Sequence, residues 1–171
     1  MARIPYAPVE RPDIAPVAQR IQAERGGKLL NLYRMLLHSP PVADGWRAFL
    51  TSIRQQCSLP GRIRELAIMR VAVVNRAEYE YEAHRPFALK EGFTEAQLLA
   101  LRGERLDAFD ERERAVVEYA DSMTRAVQVP EPVFAAVRGH FNERELVELT
   151  ATVAAYNLVS RFLEALQIDH E

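Results

Sequence analysis

Apolar positions recur at three- and four-residue spacing along nearly the whole chain, and no long stretch alternates apolar with polar. That is the period of the α-helix and argues against sheet. The spacing predicts a short helix over Ala15 to Glu24, ended by Gly26-Gly27, and a second over Leu29 to Leu37, stopped at Ser39-Pro40-Pro41. Proline cannot continue a helix and turns its predecessor away from helical dihedrals. A third helix is expected from Val42 to Gln56, with Trp46, Phe49, Leu50 and Ile53 as its stripe. Ser58-Leu59-Pro60 restarts the chain. From Ile63 to Val74 the residues are apolar on most sides, as in a helix buried all round. Another helix runs from about Arg76 to Gly92. Thr94 with Gln97 has the capping-box pattern for a short helix to Leu101. Asp110 precedes a long helix to Val127, Pro130 and Pro132 open a short one to His140, and Asn142 with Glu145 opens the last, to Leu166.

These segments add up to an all-α protein of eight or nine helices. The first 16 residues carry four prolines (Pro5, Pro8, Pro12, Pro16) and read as an extended arm, with one domain over 17–171. The chain has 171 residues, 49% hydrophobic and 27% charged, enough to bury a core. Its net charge of −2 lacks the basic balance expected of a nucleic-acid binder. The longest nearly uncharged stretch, Leu149 to Ser160, is too short to cross a bilayer, and no apolar leader opens the chain. The expectation is a cytoplasmic protein acting on a small molecule, with neither membrane nor nucleic acid as partner. One cysteine, Cys57, excludes an internal disulfide or a self-contained dithiol cycle.

Ionisable residues concentrate in RELAIMRVAVVNRAEYEYEAHRPFALKEG, from Arg64 to Gly92. Glu80 and His84 are i,i+4 neighbours and share a helix face. A carboxylate beside an imidazole orients the ring and favours its charged form. Two readings stand: a solvated ion pair, or a general acid/base unit. Glu65, at the head of the apolar helix, is placed for partial enclosure. Pro86, two residues after His84, either kinks the helix there or starts a new one. One histidine without a second ligand pair at helical spacing does not make a metal site, and no metal or cofactor is expected. Tyr79 and Tyr81 flank Glu80 and cannot both share its face, so one is expected packed and the other nearer a pocket. Asn157, polar among apolar neighbours, must find a partner, and tying helices together is its expected use.

At these residues the chain resembles the carboxymuconolactone decarboxylase-like family, which includes the alkylhydroperoxidase D-like (AhpD-like) proteins. The peroxidase branch carries E-x11-C-x2-C-x3-H. Here Glu65, Ala77, Glu80 and His84 stand in that register, so glutamate and histidine match and both thiols are missing. NLYRMLLHSP (31–40) and YNLVSRF (156–162) extend the resemblance to roughly residues 28–168. It implies an AhpD-like helical bundle and a homo-oligomer, trimeric or hexameric. Surplus apolar surface on the helices Ile63 to Val74 and Leu146 to Leu166 points the same way. It also implies proton-relay roles for Glu65 and His84. Peroxide reduction needs a thiolate and a resolving thiol, which leaves the decarboxylase branch. There an unsaturated lactone bearing a carboxylate serves as its own electron sink, and the protein must hold the carboxylate and deliver a proton. The expected set is His84 as acid, with Glu80 orienting it and Glu65 completing a relay, and with Arg161, Tyr81 and Arg85 at the substrate. Arg70 is a further candidate cation. The alternatives are a small-molecule binder that has lost its thiols and a one-cysteine peroxidase using Cys57.

Overall fold

The computed structural model describes residues 1–103 and 105–171. Among the described residues there are nine α-helices, one π-helical turn, one 3-10 turn and no strand. They fall into two compact units, residues 1–56 with 163–171, and residues 57–162. No helix among the described residues is long and apolar enough to cross a membrane.

The first unit contains α1 (Ala15–Glu24), α2 (Asn31–Leu36) and α3 (Pro40–Thr51), the last running on into a π-turn over Ser52–Gln56. Pro40 and Pro41 do not keep the chain out of helix as the sequence suggested. They form the first turn of α3, after an extended Ser39. A first-turn amide has no intrahelical acceptor, so proline loses nothing there and its fixed φ already suits the helix. Ile14, Ile21, Leu37 and Ala43 are fully buried in this unit. The proline-rich arm lies on its own chain. Arg3 N–H donates to the Leu166 carbonyl at 2.9 Å and Ala7 N–H to that of Arg34 at 3.1 Å. The Tyr6 hydroxyl donates to Asp169 at 3.0 Å.

The second unit contains α4 (Gly61–Asn75), α5 (Glu78–Lys90), α6 (Glu95–Arg102), α7 (Glu111–Ala126), α8 (Glu131–Arg138) and most of α9 (Glu143–Leu166). Every residue of α4 from Leu66 to Ala72 is buried, which is why its apolar residues run round the helix rather than along one side. It packs chiefly against α7 and α5. The one charge in that run, Arg70, is neutralised inside the unit. Its guanidinium meets Asp121 of α7 through two bonds, 2.5 and 2.6 Å, and donates to the Leu101 carbonyl at 2.9 Å.

A two-residue link turns α4 back into α5. Arg76 takes the left-handed conformation (φ 56°) and the Ala77 N–H reaches the Ala72 carbonyl at 2.9 Å. This six-to-one bond is the Schellman closure of a helix end. The later helix starts follow their local signals. Thr94 with Gln97 and Asp110 with Glu113 form reciprocal capping boxes. Asn142 and Glu145 exchange bonds of 3.1 and 3.0 Å in the same way. Asp110→Ala is expected to lower stability by about 1 kcal/mol, read as a reduced denaturation midpoint with the unfolding slope unchanged. Asn157 of α9 joins three helices, accepting from Asn75 of α4 at 3.0 Å and donating to Thr124 of α7 at 2.9 Å.

Candidate active site

The site is built on residues of α4, α5 and α9 that all lie within the second unit. In α5, Glu78 and Glu82 are exposed while Glu80 and His84, one turn apart, point inward. Glu80 is 1% exposed and His84 7%, so this face is not a solvated ion-pair surface. Pro86 lies inside α5 rather than at the start of a new helix. It removes the amide that would bond the Glu82 carbonyl, so the helix lacks one backbone bond around His84.

The carboxylate at Nδ1 of His84 is that of Glu65, 19 residues earlier. Oε2 lies 2.8 Å from the ring nitrogen, and Glu65 is 4% exposed. Burial pushes the Glu65 carboxyl up, but the hydrogen bond and charge of His84, with those of Arg64, outweigh it and hold the group below its ordinary value. Glu65 is therefore an anion and only accepts, so Nδ1 carries the hydrogen of that bond. The second ring nitrogen, Nε2, is then the position at which a proton is gained or lost. Arg64 Nε donates to the other Glu65 oxygen at 3.3 Å. The orienting place that helical spacing gave to Glu80 is thus taken at Nδ1 by Glu65. The Glu80 carboxylate accepts instead from the Ser160 hydroxyl of α9 at 2.9 Å.

Tyr156, one turn before Ser160, meets the imidazole edge-on with ring centres 4.9 Å apart. Phe87, half exposed, stands 5.8 Å from the same ring. Four residues of this cluster had no site role in the sequence: Tyr156, Phe87, Ser160 and Arg64. For the α9 pair the only local signal is a tyrosine and a serine four apart on one helix.

The expected substrate residues have partners of their own. Arg85 pairs with Glu95. Arg161 donates to the Asn157 carbonyl at 3.1 Å and also meets that residue's side chain. Tyr81 is buried beneath Arg102, whose guanidinium lies 3.6 Å from the ring centre. Tyr79 is buried as well, so both tyrosines pack inside instead of one standing at a pocket mouth. Ala77 caps α5 and is buried. Alanine and, at position 80, glutamate carry no sulfur, so neither place that resembles a thiol site can do thiol chemistry. Cys57 lies ahead of α4, and burial together with the Glu148 charge raises its thiol above the ordinary value, more than Arg144 and Arg64 lower it. Such a thiol is poorly ionised at neutral pH. Among the described residues, no three of His, Cys, Asp and Glu converge as a metal-holding group.

The helical scaffold is that of an AhpD-like bundle. Residues 40–122 match the model of the Carboxymuconolactone decarboxylase family. It is 27% identical over 110 residues to the uncharacterized protein YdfG of Bacillus subtilis (strain 168), a match spanning 63% of this chain and 75% of that one. Its fold is similar to an uncharacterized peroxidase-related protein with an alkylhydroperoxidase AhpD core from Ralstonia eutropha JMP134. The TM-score is 0.85 at 21% identity, over 99% of this chain and 92% of that one. It is also similar to a variant of the debrominase Bmp8 in complex with 2,3,4-tribromopyrrole. There the TM-score is 0.80 at 18% identity, over 100% of this chain and 94% of that one.

Proposed function

We propose that this protein is a cofactor-free acid–base enzyme whose proton donor is His84, acting by decarboxylation or a related proton transfer on a small carboxylated, lactone-like metabolite. The observation that carries this reading is the buried 2.8 Å bond between Glu65 and His84 Nδ1. It gives the imidazole one tautomer, one orientation and a counter-ion for its charged form. The alanine and glutamate at positions 77 and 80 support proton chemistry over thiol chemistry.

In the proposed reaction the bond to the carboxylate carbon breaks and its electron pair flows into the conjugated lactone carbonyl. The resulting enolate takes a proton from Nε2 of His84 at carbon, and CO₂ leaves. Glu65 stays ionised throughout and stabilises the imidazolium before transfer. Water returns the proton to Nε2 for the next cycle. The ring of Tyr156 keeps the imidazole plane fixed against rotation.

His84→Gln is expected to abolish turnover of carboxylated γ-lactones, followed as CO₂ release, while the helical circular dichroism spectrum is retained. Turnover at the wild-type rate in that variant would sink the proposal.

A further inference from the structure

We propose that Arg64 is the residue that binds the substrate's carboxylate, an inference that rests on the acid–base reading of Glu65 and His84. A small anion brought next to a buried carboxylate needs a cation, because an unpaired charge in such a place is strongly disfavoured. The arginines that the sequence offered for this duty are engaged by the protein. Arg70 is held on two sides by Asp121 and again by Leu101. Arg85 is held by Glu95, and Arg161 by Asn157.

Arg64 differs in two respects. It touches the proton-transfer pair, with Nε 3.3 Å from Glu65 Oε1 while the other oxygen of the same carboxylate holds His84. Among the described residues, Glu65 is also its only hydrogen-bond and ion-pair partner, and that bond uses Nε alone. The two Nη groups form the end of the guanidinium fork, whose spacing matches the two oxygens of a carboxylate. The side chain is 16% exposed, enclosed enough to strengthen a charge-assisted bond yet open to a small ligand. Glu65 thereby serves twice, since it holds the donor and the anion-binding cation on its two oxygens and fixes the distance between them. The ligand class is a small monocarboxylate whose reacting carbon is adjacent to the carboxyl group, and a neutral analogue lacks the handle that Arg64 takes.

The test is calorimetric titration of the wild type, Arg64→Gln and Arg64→Lys with 5-oxotetrahydrofuran-2-carboxylate and with its neutral methyl ester. The wild type is expected to prefer the carboxylate by about tenfold or more, the scale of a charge-assisted hydrogen bond. Arg64→Gln is expected to lose that preference with ester affinity unchanged, and Arg64→Lys to keep part of it. A merely structural role for Arg64 would weaken both ligands together, and thermal melts of the three proteins identify any loss of folding. Equal carboxylate affinity in wild type and Arg64→Gln overturns the proposal, as does a wild type that fails to favour the carboxylate. A wild type that binds through Arg64 but turns nothing over removes the acid–base reading and leaves this one. Turnover that needs His84 but ignores Arg64 does the reverse.

Discussion

Glu65→Ala is expected to destabilise the protein by about 3–5 kcal/mol, the range for removing one partner of a buried charged pair. The loss has two origins. His84 Nδ1–H is left without its 2.8 Å acceptor in a place where water does not easily replace it. Arg64 loses the carboxylate its Nε holds. The isosteric Glu65→Gln keeps the volume and an acceptor oxygen, so it is expected to melt between the other two while still losing turnover. The pH dependence follows from the same pair. The Glu65 carboxyl is held below the ordinary 4.5 in the folded protein. Its contribution is therefore complete above that value and declines as pH falls through the depressed folded one. Chemical denaturation between neutral and strongly acid pH should show this decline in the wild type, and Glu65→Ala should lack that part of it. An unchanged acid limb in the variant would remove Glu65 from the account.

Asp121→Ala is expected to cost about 3 kcal/mol or more. Arg70 is 2% exposed, on a helix whose neighbouring positions are all apolar and buried. An arginine cannot give up its proton to escape such a place. Without Asp121 it keeps the Leu101 carbonyl but loses both carboxylate bonds. Because α4 also carries Glu65, the geometry of the Glu65–His84 pair should suffer along with stability. The double variant Arg70→Met with Asp121→Ala removes both charges and is expected to recover most of the loss, since a buried pair and an apolar replacement are often similar in energy. Equilibrium unfolding of the wild type, Asp121→Ala, Arg70→Met and the double variant forms a double-mutant cycle. Additive losses would mean that the pair does not act as a unit.

Helix starts were legible in the sequence wherever the signal is local. Thr94 with Gln97 and Asn142 with Glu145 cap within three residues, and the structure contains both exchanges. Pro40 and Pro41 misled because a proline pair reads equally as the stop of one helix or the first turn of the next, and only the fold decides. The burial of Glu65 was legible from its place at the head of a nearly all-apolar helix. The partner of His84 was not. Spacing along one helix pairs it with Glu80, whereas the bond at Nδ1 crosses to another helix through the Arg76–Ala77 turn. Arginines were harder still. Whether Arg70, Arg85 or Arg161 is available depends on acceptors supplied by other segments, Asp121 and Glu95 among them, and no local pattern carries that information. Ser160 and Tyr156 were hidden for the same reason.

The Arg76–Ala77 turn also bears on the order in which the site forms. Glu65 and His84 are 19 positions apart and belong to two helices joined by two residues. Glu80 and Ser160 are 80 positions apart. Closing the short loop costs less chain entropy, and contacts close in sequence form faster than distant ones. The Glu65–His84 pair can thus assemble within a helical hairpin, while the Glu80–Ser160 bond and the Tyr156 ring must await the arrival of α9. In a chain emerging from the ribosome, the pair precedes by many residues the helix that seals it.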